Sequence, residues 1–175
     1  MSPYGASKLA AEAYCLAYST SYGLPVMPFR FFNVYGPKQA AGHAYAAVIP
    51  VFIDAALSGR PLPLDGDGLQ TRDFTYVDTV TGILADAVER RVTSEIPINL
   101  AIGATISLRD VIAELESIVG HPLAVESGPL RTGDVRASQS LPTLMRETFP
   151  HADVTPFDVG LATTVEWFRA STHPG

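Results

Sequence analysis

The chain has one cysteine, Cys15, in 175 residues, so no disulfide can form within it. That excludes a small disulfide-stapled scaffold and fits a reducing compartment. Cys15 lies between Tyr14 and Leu16 in a helical pattern, where a packed thiol is expected. Basic residues are also scarce, 12 Lys and Arg against 18 Asp and Glu, a formal charge of −6. A nucleic-acid partner needs a basic footprint and is therefore not expected. No apolar run is long enough to span a bilayer and no leader pattern is present, so a cytoplasmic protein is expected. His43, His121, His151 and His173 are scattered without ligand spacing, so no metal site is expected. Finally, no glycine-rich turn follows a strand and opens a helix, as a dinucleotide pyrophosphate requires. The nearest glycine cluster, Gly66-Asp67-Gly68, lacks that setting.

What is present reads as one globular domain with a real core, with 47% hydrophobic and 17% charged residues. Ser2-Pro3 and a run rich in Ala, Lys and Glu predict a helix to Ser21, stopped by Gly23. Val26 to Phe32 is of strand type, and Asn33 to Pro37 reads as a loop. A helix is expected from Ala44 to Ser58, ended by Gly59. A short strand at Leu62 to Leu64 precedes the turn Asp65-Gly66-Asp67-Gly68, and Arg72 to Val77 alternates as a strand. Asp78 is placed to cap a helix to Arg90, and Ser107 to cap another to Val119. Between them Ile96 to Leu100 reads as a strand. Beyond Gly120 the pattern gives a strand near Leu123 to Val125, a loop through Asp134, and helices at Leu141 to Thr148 and Phe157 to Ala170. Strands alternating with helices indicate an α/β class.

Tyr4 and Lys8 stand four residues apart, so on a helix they share a face. An ammonium one turn from a phenol favours its charged form, which general-base chemistry requires. In an acidic chain any anionic ligand must be held by placed cations and backbone amides. Arg72 and Arg131, both in loop-like settings, can each make charge-assisted, bidentate bonds to a diphosphate. A surface arginine taken alone is more often simply solvated. Asn33, just past a strand end, offers an amide to a phosphate or sugar oxygen, or acts as a turn residue.

Three blocks in order carry a wider resemblance. Ser2-Pro3-Tyr4-Gly5-Ala6-Ser7-Lys8-Leu9-Ala10-Ala11-Glu12 is similar to the catalytic helix of the NAD-dependent epimerase/dehydratase family, the extended short-chain dehydrogenases/reductases. Phe29-Arg30-Phe31-Phe32-Asn33-Val34-Tyr35-Gly36-Pro37 resembles that family's next strand and substrate loop. Gly66-Asp67-Gly68-Leu69-Gln70-Thr71-Arg72-Asp73-Phe74-Thr75-Tyr76-Val77-Asp78 is similar to a third block. Within the family, Ala44 to Pro50 and Gly133-Asp134-Val135-Arg136-Ala137-Ser138-Gln139 look like bacterial UDP-N-acetylglucosamine and UDP-glucose 4-epimerases.

The resemblance implies an α/β fold, the carboxy-terminal part of a Rossmann-type enzyme with its small α/β substrate-binding domain. Residues 1–40 would end the dinucleotide-binding domain, and 41–175 would form mainly the sugar-nucleotide domain, returning to the Rossmann sheet at about 70–100. Tyr4 and Lys8 would be catalytic and, with Phe31, would meet the cofactor NAD. Asn33, Val48, Pro63, Asp65, Arg72, Arg131, Asp134 and Ser138 would bind a UDP-sugar: Asn33, Arg72 and Arg131 the diphosphate, Asp134 the ribose, Pro63 and Asp65 the uracil. Ser138 stands where the family's tyrosine would crowd the sugar's C2 substituent, so serine implies room for an N-acetyl group. Arg30 and Asp73 are each expected to serve structural pairing and not chemistry. Ser140-Leu141 replace an aspartate of the family pattern, which touches a local cap.

The resemblance places the pyrophosphate-binding glycines, the acidic residue for the adenosine ribose and the catalytic serine or threonine before Met1. The expected activity of the complete enzyme is 4-epimerisation of a UDP-hexose or UDP-N-acetylhexosamine through a 4-keto sugar. A 4,6-dehydratase or decarboxylase on the same scaffold, and a non-catalytic sugar-nucleotide-binding or dimerising fragment, are the alternatives. The 175 residues alone are expected to be inactive and not to hold NAD. Homodimerisation through the first helix is expected.

Overall fold

The structure, a computed structural model, describes residues 3–42, 47–130 and 135–172. Arg131 and Asp134 lie outside the described residues. Helix α1 (Pro3–Tyr22) begins with proline at its first position and ends at Gly23, whose φ of 67° turns the chain away. None of its side chains is buried. This corrects the packed thiol expected at position 15, since Cys15 is exposed. Glu12 and Arg30 tie α1 to the next strand by two bonds of 2.6 and 2.7 Å. Arg30 thus serves pairing, as expected.

The aromatic stretch after α1 forms two strands: β1 (Phe29–Phe31) and β2 (Asn33–Tyr35). The loop expected from Asn33 onward is therefore corrected. Asn33 to Tyr35 finds a parallel partner some forty residues away, which outweighs its local turn signals. A helix α2 (Val48–Leu57) and strand β3 (Leu62–Asp65) follow. The single strand expected over 72–77 is broken at Asp73 into β4 (Thr71–Arg72) and β5 (Phe74–Tyr76). β5 pairs in parallel with β2, whereas β4 joins a different sheet. Asp73 at the break is fully buried and its carboxylate accepts from the Ile102 and Gly103 N–H groups. Burial pushes that carboxyl up, against the lowering effect of those N–H bonds.

Helix α3 (Val77–Glu89) starts one residue before the expected cap. Tyr76, still extended from β5, occupies the cap position, and Asp78 sits in the first turn, where its charge still suits the helix dipole. Strand β6 (Ile98–Leu100) pairs in parallel with β1. Strand β7 (Ile106–Ser107) leads into helix α4 (Leu108–Val119), for which Ser107 is the cap. Its hydroxyl accepts from the Asp110 N–H and Asp110 Oδ2 accepts from the Ser107 N–H, a reciprocal capping box. Strand β8 (Val125–Gly128) lies in parallel beside β3 and begins two residues later than the strand expected near Leu123 to Val125. Strand β9 (Ala137–Ser138) flanks β4 opposite β7, and helices α5 (Thr143–Thr148) and α6 (Phe157–Thr172) close the chain.

Every strand pair except β4–β7 is parallel, so helices must carry the crossovers, as in α/β proteins. Two apolar clusters result. In one, α2, α4 and α6 pack Phe52, Ile53, Val111, Leu115, Leu161 and Val165 around Tyr35 and Phe74. In the other, Ile83 of α3 meets Ile98, Leu100, Met145 and Phe149. Tyr35 is buried with its hydroxyl donating to the Phe157 carbonyl at 3.1 Å, and burial drives its phenol well above the ordinary range. Gly160 on α6 makes this packing feasible: a Cβ there would stand 2.5 Å from the Tyr35 hydroxyl and 2.8 Å from the Tyr76 ring.

Candidate functional site

A cavity of about 460 Å³ opens between β2, α2, β3 and β4. Its wall contains Asn33, Val48, Pro63, Asp65 and Arg72, five of the residues the sequence nominated for a sugar nucleotide. They come from four separate elements spread over 40 positions, so only the fold collects them. The volume suits a drug-sized polar ligand.

Helix α2 points its start at this cavity: Ala47, Val48 and Ile49 all line it. The sequence pattern placed a helix start at Ala44, but Ala47 is extended (φ −70°, ψ 156°) and the described helix begins at Val48. The Val48 and Ile49 N–H groups therefore precede the first intrahelical bond, and Pro50 has no N–H to offer. No side chain caps this end. A helix start lined up on a cavity favours an anion there through its dipole and its orphan N–H groups. Sequence reading missed this device, because the apolar run Ala44 to Ala47 matched helical spacing.

Asn33 is fixed by β2 against β5: its backbone N–H and its side-chain Nδ2 both donate to the Asp73 carbonyl, at 3.2 and 3.1 Å. The Asn33 amide, which the sequence nominated for a phosphate or sugar oxygen, is thus oriented by one internal bond. Arg72 leaves β4 towards the chain that leads into β9; its Nη1 donates to the Val135 carbonyl at 2.6 Å and to the Thr71 carbonyl at 2.8 Å. Ser138 is in register with Arg72 on the neighbouring strand and half-buried, and does not line the cavity.

On β3, Leu62 donates to the Ala124 carbonyl and Gly66 to the Gly128 carbonyl. In a parallel strand both polar groups of a residue point to one edge and successive residues alternate. Leu62 and Leu64 therefore face β8, and Pro63 and Asp65 turn their backbone groups to the other edge, where the cavity lies. Gln70, which sequence reading did not single out, sits at that edge. It is 5% exposed and its Nε2 donates to the Asp65 carbonyl at 2.8 Å.

Tyr4 and Lys8 face each other on α1, with the ammonium 5.3 Å from the ring centroid. The Ser7 hydroxyl donates to the Tyr4 carbonyl at 2.8 Å. Tyr4 is 72% exposed, and neither it nor Lys8 lines the cavity. Phe31 is exposed on β1, stacked on Phe29. The structure thus joins the pair to one another and the five cavity residues to one another. Among the described residues no group of three His, Cys, Asp or Glu could hold a metal, and no helix is long and apolar enough to cross a membrane.

The model of the NAD dependent epimerase/dehydratase family matches residues 1–103. The chain belongs to that family. It is 35% identical over 168 residues to a UDP-glucose 4-epimerase of Mycolicibacterium smegmatis, covering 96% of this chain and 53% of that protein. It is 33% identical over 172 residues to a UDP-N-acetyl-alpha-D-glucosaminuronate decarboxylase of Bacillus cytotoxicus, covering 95% and 53%. A solved UDP-N-acetylglucosamine 4-epimerase from Methanobrevibacter ruminantium, in complex with UDP-N-acetylmuramic acid, superposes with a TM-score of 0.90 at 32% identity, covering 97% of this chain and 54% of that one. The fold is therefore the α/β fold of the extended short-chain dehydrogenases, in a family that uses NAD. The chain spans about half the length of the curated relatives it matches.

Proposed function

We propose that these residues form the sugar-nucleotide side of a UDP-hexose or UDP-N-acetylhexosamine 4-epimerase. The observation that carries this reading is the one cavity shared by Asn33, the start of α2, Pro63 and Asp65 of β3, and Arg72. Those groups match a nucleotide diphosphate part by part. The helix start, the pinned Asn33 amide and the Arg72 guanidinium supply positive potential for the phosphates in a chain of net charge −6. The β3 edge, with Pro63 and Asp65, supplies backbone groups for a base. Arg131 and Asp134 belong to the same reading as diphosphate and ribose ligands. Ser138, beside Arg72 on β9, is the residue whose small side chain leaves room for an N-acetyl group.

Tyr4, Lys8 and Phe31 are the residues that would hold the nicotinamide end of NAD. Their fit is with that end alone, because the 175 residues contain no strand–glycine–helix turn for the pyrophosphate. When bound, the nicotinamide supplies hydride abstraction and return at sugar C4. Tyr4 takes the proton of the 4-hydroxyl as the ketone forms and gives it back after the sugar has turned over. Lys8, one helical turn on, places a positive charge beside that phenol. The diphosphate grip keeps the nucleotide seated while the sugar rotates. The residues 1–40, with the cluster around Ile98 and Leu100, would belong to the dinucleotide-binding layer and the rest mainly to the substrate domain. A homodimer through the exposed face of α1 is part of the same proposal.

Calorimetric titration of the 175-residue chain tests the reading. UDP-N-acetylglucosamine and UDP-glucose should bind saturably and be competed by UDP, and Arg72→Ala should weaken both about tenfold or more. Failure of every UDP-sugar to bind would end it. With NAD added, no 4-epimer should accumulate by proton NMR. Turnover by these 175 residues would show that the missing pyrophosphate turn is not needed. Carbon dioxide or loss of water as the product would replace the epimerase by a decarboxylase or dehydratase.

A further inference from the structure

Asp73 is a poor choice of residue for packing alone. It is fully buried at the break between β4 and β5, and burial pushes its carboxyl up. A buried carboxylate costs stability unless donors surround it. The loop from β6 to β7 supplies two: the Ile102 N–H donates to Oδ1 at 3.2 Å and the Gly103 N–H to Oδ2 at 2.7 Å. Successive N–H groups converge on one anion where the backbone enters the left-handed region, and Gly103 has a φ of 83°. Glycine is required there for a second reason, since a Cβ would stand 2.9 Å from Pro142 Cγ.

The main chain of Asp73 is engaged on both sides. Its carbonyl accepts from the Asn33 N–H and from Asn33 Nδ2, at 3.2 and 3.1 Å. Its N–H donates to the Ser138 carbonyl at 3.1 Å. Asn33 belongs to the β2–β5 sheet and Ser138, in register with Arg72, to the separate sheet of β7, β4 and β9. One residue therefore holds nominated ligand residues of two sheets. The loop gripped by its carboxylate also holds the Ser138 side: the Gln139 amide donates to the Thr105 hydroxyl, Asn99 Nδ2 donates to the Ser140 hydroxyl at 3.0 Å, and Gly103 abuts Pro142. Without the carboxylate the strand break is free to relax, and both main-chain contacts move with it.

We propose that Asp73 is a positioning residue, whose buried carboxylate fixes the spacing between Asn33 on one side of the site and Arg72 with Ser138 on the other. It does not line the cavity, so it acts through those residues. Ligand groups need placement to within about 0.5 Å from such supports. The proposal rests on the reading of the cavity as a sugar-nucleotide site. Pro63 and Asp65 pair with β8 instead, so the base end of the site is anchored independently of Asp73.

Asp73→Asn keeps the shape of the side chain but turns one acceptor oxygen into a donor facing a backbone N–H. The test titrates the whole chain, native and variant, with UDP-N-acetylglucosamine and with UMP by calorimetry, at a temperature where circular dichroism shows each chain folded. The variant should bind UDP-N-acetylglucosamine about tenfold or more weakly than the native chain, and UMP within about threefold of it. A residue that only stabilises the fold lowers the unfolding midpoint and leaves the affinity of the folded chain alone. Unchanged affinity for UDP-N-acetylglucosamine, or an equal loss of both ligands, therefore overturns the proposal and leaves the nucleotide site standing. Gly103→Ala, which keeps the carboxylate but spoils the turn that receives it, should give the same unequal loss, and it decides the matter if Asp73→Asn does not fold. If the native chain binds neither nucleotide, the reading of the cavity fails first and this inference with it.

Discussion

Helices α1 and α4 illustrate two ways in which a sequence makes a helix. α4 has one apolar stripe, with Leu108, Val111, Ile112 and Leu115 buried against the main core, and both ends are built, by the capping box at Ser107 and by Gly120 in the left-handed conformation (φ 81°). α1 is longer, 20 residues, yet none is buried, and Tyr4, Leu9, Tyr14, Tyr18 and Tyr22 are exposed. Its helicity rests on local preference, with proline at the first position and alanines within, and on one ion pair to Arg30. The helix bearing the proposed acid–base pair thus buries none of its side chains, while the cavity proposed for a sugar nucleotide is built on the packed core.

The contrast can be broken most forcefully in the core. Leu115→Ala should cost about 2–5 kcal/mol in denaturant unfolding, whereas Leu9→Ala on α1 should change little. Equal losses would mean that α1 is packed after all. Gly160→Ala drives a methyl into the Tyr35 hydroxyl and the Tyr76 ring and should cost about 1–3 kcal/mol, read from the same unfolding curves. A neutral result would show that α6 can shift away from β2.

Smaller effects sharpen the comparison at the helix ends. Ser107→Ala removes half of the α4 capping box and should cost about 1 kcal/mol. The Asp110 carboxyl is held below its usual range by its bonds from the Ser107 hydroxyl and N–H. A lowered carboxylate stabilises the fold above the unfolded value and loses that contribution as pH falls through the folded one. Asp110→Asn should therefore flatten the loss of stability below about pH 4. Asp73 works in the opposite sense: burial raises its carboxyl, so its ionisation opposes folding and its contribution improves as pH falls. The smallest expected change is at α1. Glu12→Gln should leave global unfolding unmoved, yet amide exchange along α1 should be faster than along α4 even in the native chain. Protection of α1 equal to that of α4 would overturn the division between the two helices.

Much of this was legible residue by residue. The proline start of α1, the cap at Ser107 and the glycine stops after α1, α2 and α4 depend on local backbone chemistry, which a sequence displays directly. So does the facing of Tyr4 and Lys8, a consequence of helical period. Errors came where a partner distant in sequence decided the outcome. Asn33 to Tyr35 became a strand because β5 lies alongside, and the run from Thr71 to Tyr76 was divided because its two ends join different sheets. Asp78 lost the cap to Tyr76 because β5 runs that far. The late start of α2, which brings Val48 and Ile49 of its first turn to the cavity wall, carries no side-chain signature.

Local chemistry written in the chain is enough for the α/β class, most helix limits, the family blocks and the nomination of residues for a sugar nucleotide. Long-range packing was needed to bring Asn33, Val48, Pro63, Asp65 and Arg72 to one cavity, to bury Asp73 at the break between two sheets, and to set the Gln70 amide against the Asp65 carbonyl. The reason is physical. Helix period and capping act over a few residues, whereas parallel pairing joins segments tens of residues apart and fixes, by its alternation, which backbone groups face a neighbour and which face a ligand.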